Sequence, residues 1–375
     1  MSQPSADAPR TAAPATTWRA LLFGLLLFAL VDAAVFRSGL YTWLAKVDSS
    51  GGWVALRTQY EPRLWPPASP PNVVLFGDSR VTEGCDERAL AAALGLPEAA
   101  VRDLAMPGSS PRVWPFEFAA VPPPAGGWSV VVVALTGYGE VGEGLDTEDP
   151  TQRRHDLSFL MPLLGIGEAW RLAGDFDDGG AQRDLRLASL VRAFAWRNDV
   201  RDLLQAPVAR YREVRHRFGR LRWGAGYEGN PRSLAGVHVE GDRLVGLPAE
   251  LASEAPALRR LVWPKPGAPQ TGYRRRWLGR LVDLAAERGA DVVFVRMPTR
   301  VLPPEVPTPP PPRDPALVEL AQRPHVHVLA EDLFAELEHP EFFADVLHLN
   351  RVGRQRWTAL LSGALRATFP ERFGR

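Results

Sequence analysis

Three side chains have the chemistry of a nucleophile, a base and a carboxylate that orients the base: Ser79, His348 and Asp345. Ser79 closes the run Asn72-Val73-Val74-Leu75-Phe76-Gly77-Asp78-Ser79, in which a short apolar stretch stops abruptly at Gly-Asp-Ser. A serine hydroxyl becomes an effective nucleophile only when a base takes its proton during attack. His348 is the candidate base. Asp345, three residues earlier in Asp345-Val346-Leu347-His348-Leu349-Asn350, can fix the imidazole tautomer and stabilise the imidazolium. Serine early, with aspartate and histidine close together and late, outlines a hydrolase or acyltransferase triad.

These residues need elements to hold them. A Val-rich apolar run of this length reads as a buried parallel strand. A serine just past its carboxyl end lies in the crevice where open α/β sheets bind ligands. Strands are expected at Asn72–Phe76, Val101–Leu104, Ser129–Leu135, Asp291–Arg296 and His325–Leu329. Helical patterns cover Asp86–Leu94, Arg275–Arg288 before a capping Gly289, and Leu349–Phe369 with Asn350 as its N-cap. This alternation predicts an α/β fold, a doubly wound parallel sheet of about five strands in an α/β/α arrangement. Residues of about 140–270 break the rhythm with helical segments at Ala169–Leu172, Leu185–Leu204 and Val208–Leu221, then a turn-rich stretch around Val237–Leu247. So long a connection reads as a mostly helical cap inserted beside the carboxyl ends of the strands. A second excursion, Leu302–Arg313, is Pro-rich and reads as a stiff extended loop.

The 375 residues carry 46% apolar and 23% charged side chains, the balance of a globular chain. A net charge of +1 argues against a nucleic-acid partner, which would call for a clustered basic excess. Basic runs at Arg210–Arg222 and Arg274-Arg275-Arg276 read as solvated helix faces. Cys85 is the single cysteine, expected to be buried, and no cofactor or metal is implied; His325 and His327 alternate on one strand without a third partner. Arg296 and Arg300 flank Met297-Pro298-Thr299 at a strand end, where Arg296 is a candidate for binding an anionic substrate.

Residues 1–17 read as a disordered tail. Residues 18–36 are almost continuously apolar, about long enough at ~1.5 Å per residue to cross a bilayer core. Asp32 is the exception, at a cost reduced near the headgroups. Without a clear cleavage site, this stretch reads as an uncleaved single-pass anchor rather than a signal peptide. The main domain is expected outside the cytoplasm, periplasmic in a bacterium. Residues 37–71 form a connector ahead of the domain spanning 72–375.

The blocks resemble those of the SGNH, or GDSL-like, hydrolase superfamily. Gly77, Asp78 and Ser79 match its first block, Leu104-Ala105-Met106-Pro107-Gly108 its glycine block, and Asp345 with His348 its last. The resemblance covers roughly 72–136 and 275–369, and implies a flavodoxin-like sheet. It also implies an oxyanion hole built from the amides of Ser79 and Gly108. The third block departs: where Gly-x-Asn-Asp is expected, the chain reads Thr136-Gly137-Tyr138-Gly139-Glu140. The missing amide donor would then be replaced by Thr136, Tyr138 or a residue from the cap. Membrane-anchored members resembling this chain, such as the alginate acetylation proteins, add or remove acyl groups on cell-surface polymers. The resemblance therefore implies an O-acyl esterase or O-acyltransferase acting on envelope glycans or other ester substrates, with a membrane-bound acyl-donor protein as a partner. The rival readings are a non-catalytic binding or assembly subunit of an envelope acylation complex, and a lipid esterase facing the cytoplasm.

Overall fold

A computed structural model describes residues 15–64, 69–142, 149–215, 227–241, 243–262, 267–299, 301–302 and 312–374. Most of the expected N-terminal tail, residues 65–68 of the connector, Arg300, residues 216–226 and most of the Pro-rich loop (303–311) lie outside the described residues.

Five strands form one parallel sheet: β1 (Val73–Phe76), β2 (Val101–Asp103), β3 (Val130–Leu135), β6 (Asp291–Arg296) and β7 (Val326–Val328), in the order β2-β1-β3-β6-β7. A separate two-stranded hairpin, β4 (His238–Glu240) and β5 (Arg243–Val245), falls in the turn-rich stretch. The central strands β1, β3 and β6 are buried along their whole length, which is why they read as unbroken apolar runs instead of alternating ones. Val73 pairs with both Val101 and Val130, and Val130 with Asp291, so these four strands start in step at their amino ends, while β3 and β6 run two residues past the end of β1.

The elements relevant to the site follow in chain order. Helix α1 (Ala15–Val31) is the apolar N-terminal helix. Helices α2 (Ser79–Gly84) and α3 (Glu87–Leu94) follow β1, and α4 (Trp114–Ala120) precedes β3. The long insertion contains α5 (Leu157–Leu163), α6 (Ile166–Ala173), α7 (Gly179–Leu190), α8 (Arg197–Gln205) and α9 (Pro207–Arg215). Helix α10 (Thr271–Glu287) leads into β6, and α11 (Arg351–Thr368) closes the domain. Asn350 caps α11 by accepting the Gly353 N–H at 3.0 Å.

Two apolar cores lie on opposite faces of the sheet. Val74, Phe76, Val131 and Val133 face α4, α10 and the insertion helices α5–α7; Val73, Leu75, Val130 and Val132 face α2, α3 and α11. The insertion is not one cap. Its first half packs on the first face, while Leu234, Val237, Leu251 and Leu258 from its second half join the other core. Each half carries its own apolar stripe, and each stripe is buried where a sheet face is available.

The connector is more than a tether. Residues 32–64 fold into short helical turns whose Tyr41, Trp53, Leu56 and Tyr60 belong to the same core as α5–α7. Tyr41 donates to Asp199 at 2.6 Å, and Arg210 donates to both Asp199 and the Leu44 carbonyl at 2.9 Å. Arg210 and Arg274, expected on solvated faces, are therefore buried and paired, whereas Arg275 keeps its exposed partner Glu319.

The segment Trp18–Arg37 is the one helix among the described residues long and apolar enough to cross a membrane. It continues past α1 as a π-helical turn, Asp32–Arg37, of the kind produced by a single-turn bulge. Asp32 is buried: Arg37 donates to it at 2.9 Å and the Ala193 N–H at 2.6 Å. A carboxylate inside an apolar helix is thereby satisfied at the point where that helix joins the insertion.

Candidate active site

The serine turn is built by close approach. A Cβ on Gly77 would lie 2.3 Å from Val81 Cγ2, so no larger residue fits between the end of β1 and the first turn of α2. Asp78 is the N-cap of α2, accepting the Arg80 N–H at 2.9 Å, and its carboxylate also holds the Arg80 guanidinium. That pairing outweighs burial and keeps the Asp78 carboxyl below its usual range. Ser79 thus occupies the first position of a helix whose amino end faces the crevice.

Asp345 and His348 come from a tight loop closed by the pairing of Phe343 with Leu349 and by the Ala344 N–H donating to the His348 carbonyl at 2.8 Å. Asp345 Oδ1 accepts the backbone N–H groups of Leu347 and His348, both at 2.8 Å, which aims the carboxylate at its own imidazole. His348 Nδ1 lies 2.8 Å from Asp345 Oδ2, and His348 Nε2 lies 2.9 Å from Ser79 Oγ. The three side chains form one continuous hydrogen-bonded line. Burial would lower the imidazole pKa, but the Asp345 hydrogen bond and charge, followed by the charges of Glu83 and Asp78, raise it above the free value. The same contact holds the Asp345 carboxyl below its usual range despite burial.

The final helix fixes the distance between these two halves. Arg354 on α11 donates to the carbonyls of Thr82 and Glu83 at 3.0 Å each, capping the carboxyl end of α2. Thr358 on the same helix accepts the Asp86 N–H at 3.0 Å.

The loop after β2 is tied to the serine turn. The Met106 N–H and the Ser109 hydroxyl both donate to the Gly77 carbonyl, at 3.2 and 2.9 Å. Gly108 adopts φ +78°, a left-handed conformation that glycine enters without strain. Among the described residues, neither the Ser79 nor the Gly108 N–H donates to another protein group. The residues on either side of Ser79, Asp78 and Arg80, line a cavity of about 730 Å³ together with Ser109, Ser110, Thr136 and the segment Asp149–His155.

Two expected residues lie elsewhere. Tyr138 is fully buried and its hydroxyl donates to the Phe294 carbonyl at 2.9 Å, so it offers nothing to the cavity. Arg296 is buried and donates to Glu338 at 2.8 Å and to Thr299 at 3.2 Å; it is an internal ion pair rather than an anion site. Thr136 does line the cavity. Cys85 is buried, and desolvation pushes its thiol well above the usual range, so it is a packing residue. His325 and His327 both turn toward Asp291, which Arg372 also pairs.

Sequence reasoning missed the segment docked on Gly108. Arg153 donates to the Gly108 carbonyl at 3.1 Å, and Asp156 accepts the Ser110 hydroxyl at 2.9 Å. Between them, His155 Nε2 stands 3.0 Å from where a Gly108 Cβ would be. Burial, and then the charge of Arg153, lower the His155 pKa, favouring the neutral ring. Glu83 was missed too: it lies one turn after Ser79, accepts the Tyr227 hydroxyl, and helps raise the His348 pKa. The signal available in sequence for Glu83 was its i+4 spacing from the serine on a helix; for His155 there was none.

No protein-family model matches the chain, and no curated protein matches it.

Proposed function

We propose that this chain is a membrane-anchored, serine-dependent O-acyl esterase or O-acyltransferase working through an acyl-Ser79 intermediate. The observation that carries this reading is the hydrogen-bonded line Ser79–His348–Asp345, at 2.9 and 2.8 Å, beside a cavity. As Ser79 Oγ attacks an ester carbonyl, His348 Nε2 takes the hydroxyl proton and then gives it to the departing alkoxide. Water or an acceptor hydroxyl reverses the sequence and releases the acyl group. Esterase and transferase differ only in that acceptor.

The tetrahedral oxyanion needs donors already in place. The N–H groups of Ser79 and Gly108 supply two. The resemblance to SGNH hydrolases supports the same assignment, as does the strand order β2-β1-β3-β6-β7 in an all-parallel sheet, the order of a flavodoxin-like fold. That family's third donor is an Asn side chain. At its place in the pattern stands Gly139, which has no side chain, and Tyr138 is committed elsewhere. His155, on the segment that Arg153 and Asp156 fasten to the Gly108 loop, is the replacement: its ring N–H takes the part of the missing amide. The acceptors we assign are hydroxyls of envelope glycans or related acylated polymers, on the extracytoplasmic side of the membrane, with a membrane-bound acyl-donor protein as the partner.

The test is labelling of the full chain with a fluorophosphonate, in which the activated hydroxyl displaces fluoride from phosphorus. Wild type labels; Ser79→Ala and His348→Ala do not. His155→Ala labels roughly 10²-fold more slowly, the cost of removing one oxyanion donor, and His155→Asn regains most of the rate. A folded wild-type chain that does not label would instead favour a non-catalytic subunit of an acylation complex.

A further inference from the structure

The helix that leaves the membrane does not end in a flexible linker. Arg37, at its close, pairs with Asp32 and donates to the carbonyls of Ser189 and Leu190 at the end of α7. The chain then turns through Leu40–Leu44, against which α9 packs, and Arg210 of α9 bonds the Leu44 carbonyl. The Val47 N–H donates to Glu213 of the same helix at 2.9 Å. The end of the span, residues 40–47, and helices α7–α9 are thus stitched into one unit.

That unit leaves apolar side chains bare. Leu40 is 58% exposed, Leu204 76%, Val208 62% and Tyr211 63%. On α9 the exposed residues Val208, Tyr211, Arg212 and Arg215 are spaced i, i+3, i+4 and i+7, which places them on one face. The opposite face buries Arg210 against Asp199 and directs Glu213 inward. A bare face that mixes apolar bodies with arginines is the composition of a helix lying in a headgroup region, where apolar parts enter the acyl boundary and guanidinium groups meet phosphates.

We infer that the unit formed by residues 40–47 and α8–α9 rests on the bilayer surface, with the exposed face of α9 and Leu204 inserted at the headgroup level and Arg212 and Arg215 on anionic lipid phosphates. The inference rests on the reading of residues 18–37 as a membrane span. Continuity with that span decides the occupant: an apolar patch on a helix bonded to Leu44 and Val47, within about ten residues of the end of the span, is held against lipid. The cavity wall Asp149–His155 leads directly into α5 of the same core, so the docking also sets the height of the site above the membrane.

The experiment uses the full chain in vesicles of zwitterionic lipid, with and without anionic lipid. Cys85 is the only cysteine in the sequence and is buried, so single introduced cysteines can carry an environment-sensitive fluorophore. Labels at Leu204→Cys and Val208→Cys are expected to emit at blue-shifted wavelengths and to be quenched by headgroup-level nitroxide lipids. A label at Val352→Cys, exposed on α11, stays water-like and unquenched. Arg212→Glu with Arg215→Glu reduces quenching at Leu204→Cys, most strongly with anionic lipid. Water-like emission at Leu204→Cys and Val208→Cys overturns the inference. A blue shift without lipid quenching also overturns it, in favour of a second copy or another protein. A label at Leu25→Cys tests the span separately: if it escapes deep nitroxide quenching, the anchor reading has failed, not only the docking.

Discussion

At the scale of residues, the site depends on one carboxylate doing two things. Asp345 accepts two backbone N–H groups and also orients His348, so its charge is available without its side chain being free to turn away. The sign of the pH dependence follows. The proposed catalysis needs the neutral imidazole, and the His348 pKa is raised above the ordinary value of 6.5. Activity should therefore be low below that raised pKa and climb as pH passes through it. Asp345→Asn removes the contact that raises it, so the acid limb of kcat/KM should move to lower pH while kcat falls by about 10⁴-fold as the tautomer is lost. A pH–rate profile of hydrolysis of an activated acetate ester measures both. An unmoved acid limb would mean that His348 is not the titrating base.

At the scale of elements, α4 carries an expensive side chain. Glu117 is fully buried, and both its carboxylate oxygens lack a hydrogen-bond partner among the described residues. Burial raises its pKa well above the usual carboxylate range; Arg57 opposes this, and Asp103 and Glu61 add to it. Nearby Glu87 is pushed to about 8, first by burial and then by Asp103. Groups whose folded pKa is raised hold protons that the unfolded chain releases. Their contribution to stability is complete below the ordinary carboxylate range and is lost as pH rises through the folded values. Wild-type stability should thus fall with rising pH from about 4.5 toward about 8. Glu117→Gln should flatten that fall by up to about 1.4 kcal/mol per pH unit, the linkage of one proton. Denaturant melts across this range would show it; an unchanged slope would mean that Glu117 titrates normally.

At the scale of the whole molecule, the apolar N-terminal helix and the α/β domain are joined through Asp32. Asp32→Ala makes the span more apolar, yet it removes the acceptor of the Ala193 N–H and the partner of Arg37. The loss of these contacts should cost about 1–3 kcal/mol. The expected outcome is a lower Tm in detergent micelles, with proteolysis near Ala193 becoming faster; equal melting of variant and wild type would count against the junction. The same architecture explains why the insertion divides. Its first half is captured by residues 32–64 and one sheet face, its second half by the opposite face.

Legibility followed the range of the interaction. The five sheet strands, the N-cap at Asn350 and the apolar N-terminal helix are written in local patterns: unbroken valine runs, a polar residue ahead of an amphipathic helix, and about 20 apolar residues in a row. The places of Ser79, Asp345 and His348 were legible because each ends or precedes such an element; that they meet in one hydrogen-bonded line is the work of the fold. Arg296 misled, since nothing local announces that Glu338, forty-two residues on, neutralises it. Tyr138 misled for the same reason, its hydroxyl being taken by a neighbouring strand's carbonyl. His155 reaches the site through packing of elements distant in the chain, and local sequence carries no trace of that; Glu83 is announced only by its i+4 spacing from Ser79, and its partner Tyr227 is chosen by the fold. The sequence alone determined which segments become the sheet strands and the apolar N-terminal helix, because short-range sterics and burial periodicity do so. Only the tertiary structure decided which polar side chains remain available for chemistry, because a buried donor or acceptor must find a partner and that partner is chosen by the fold.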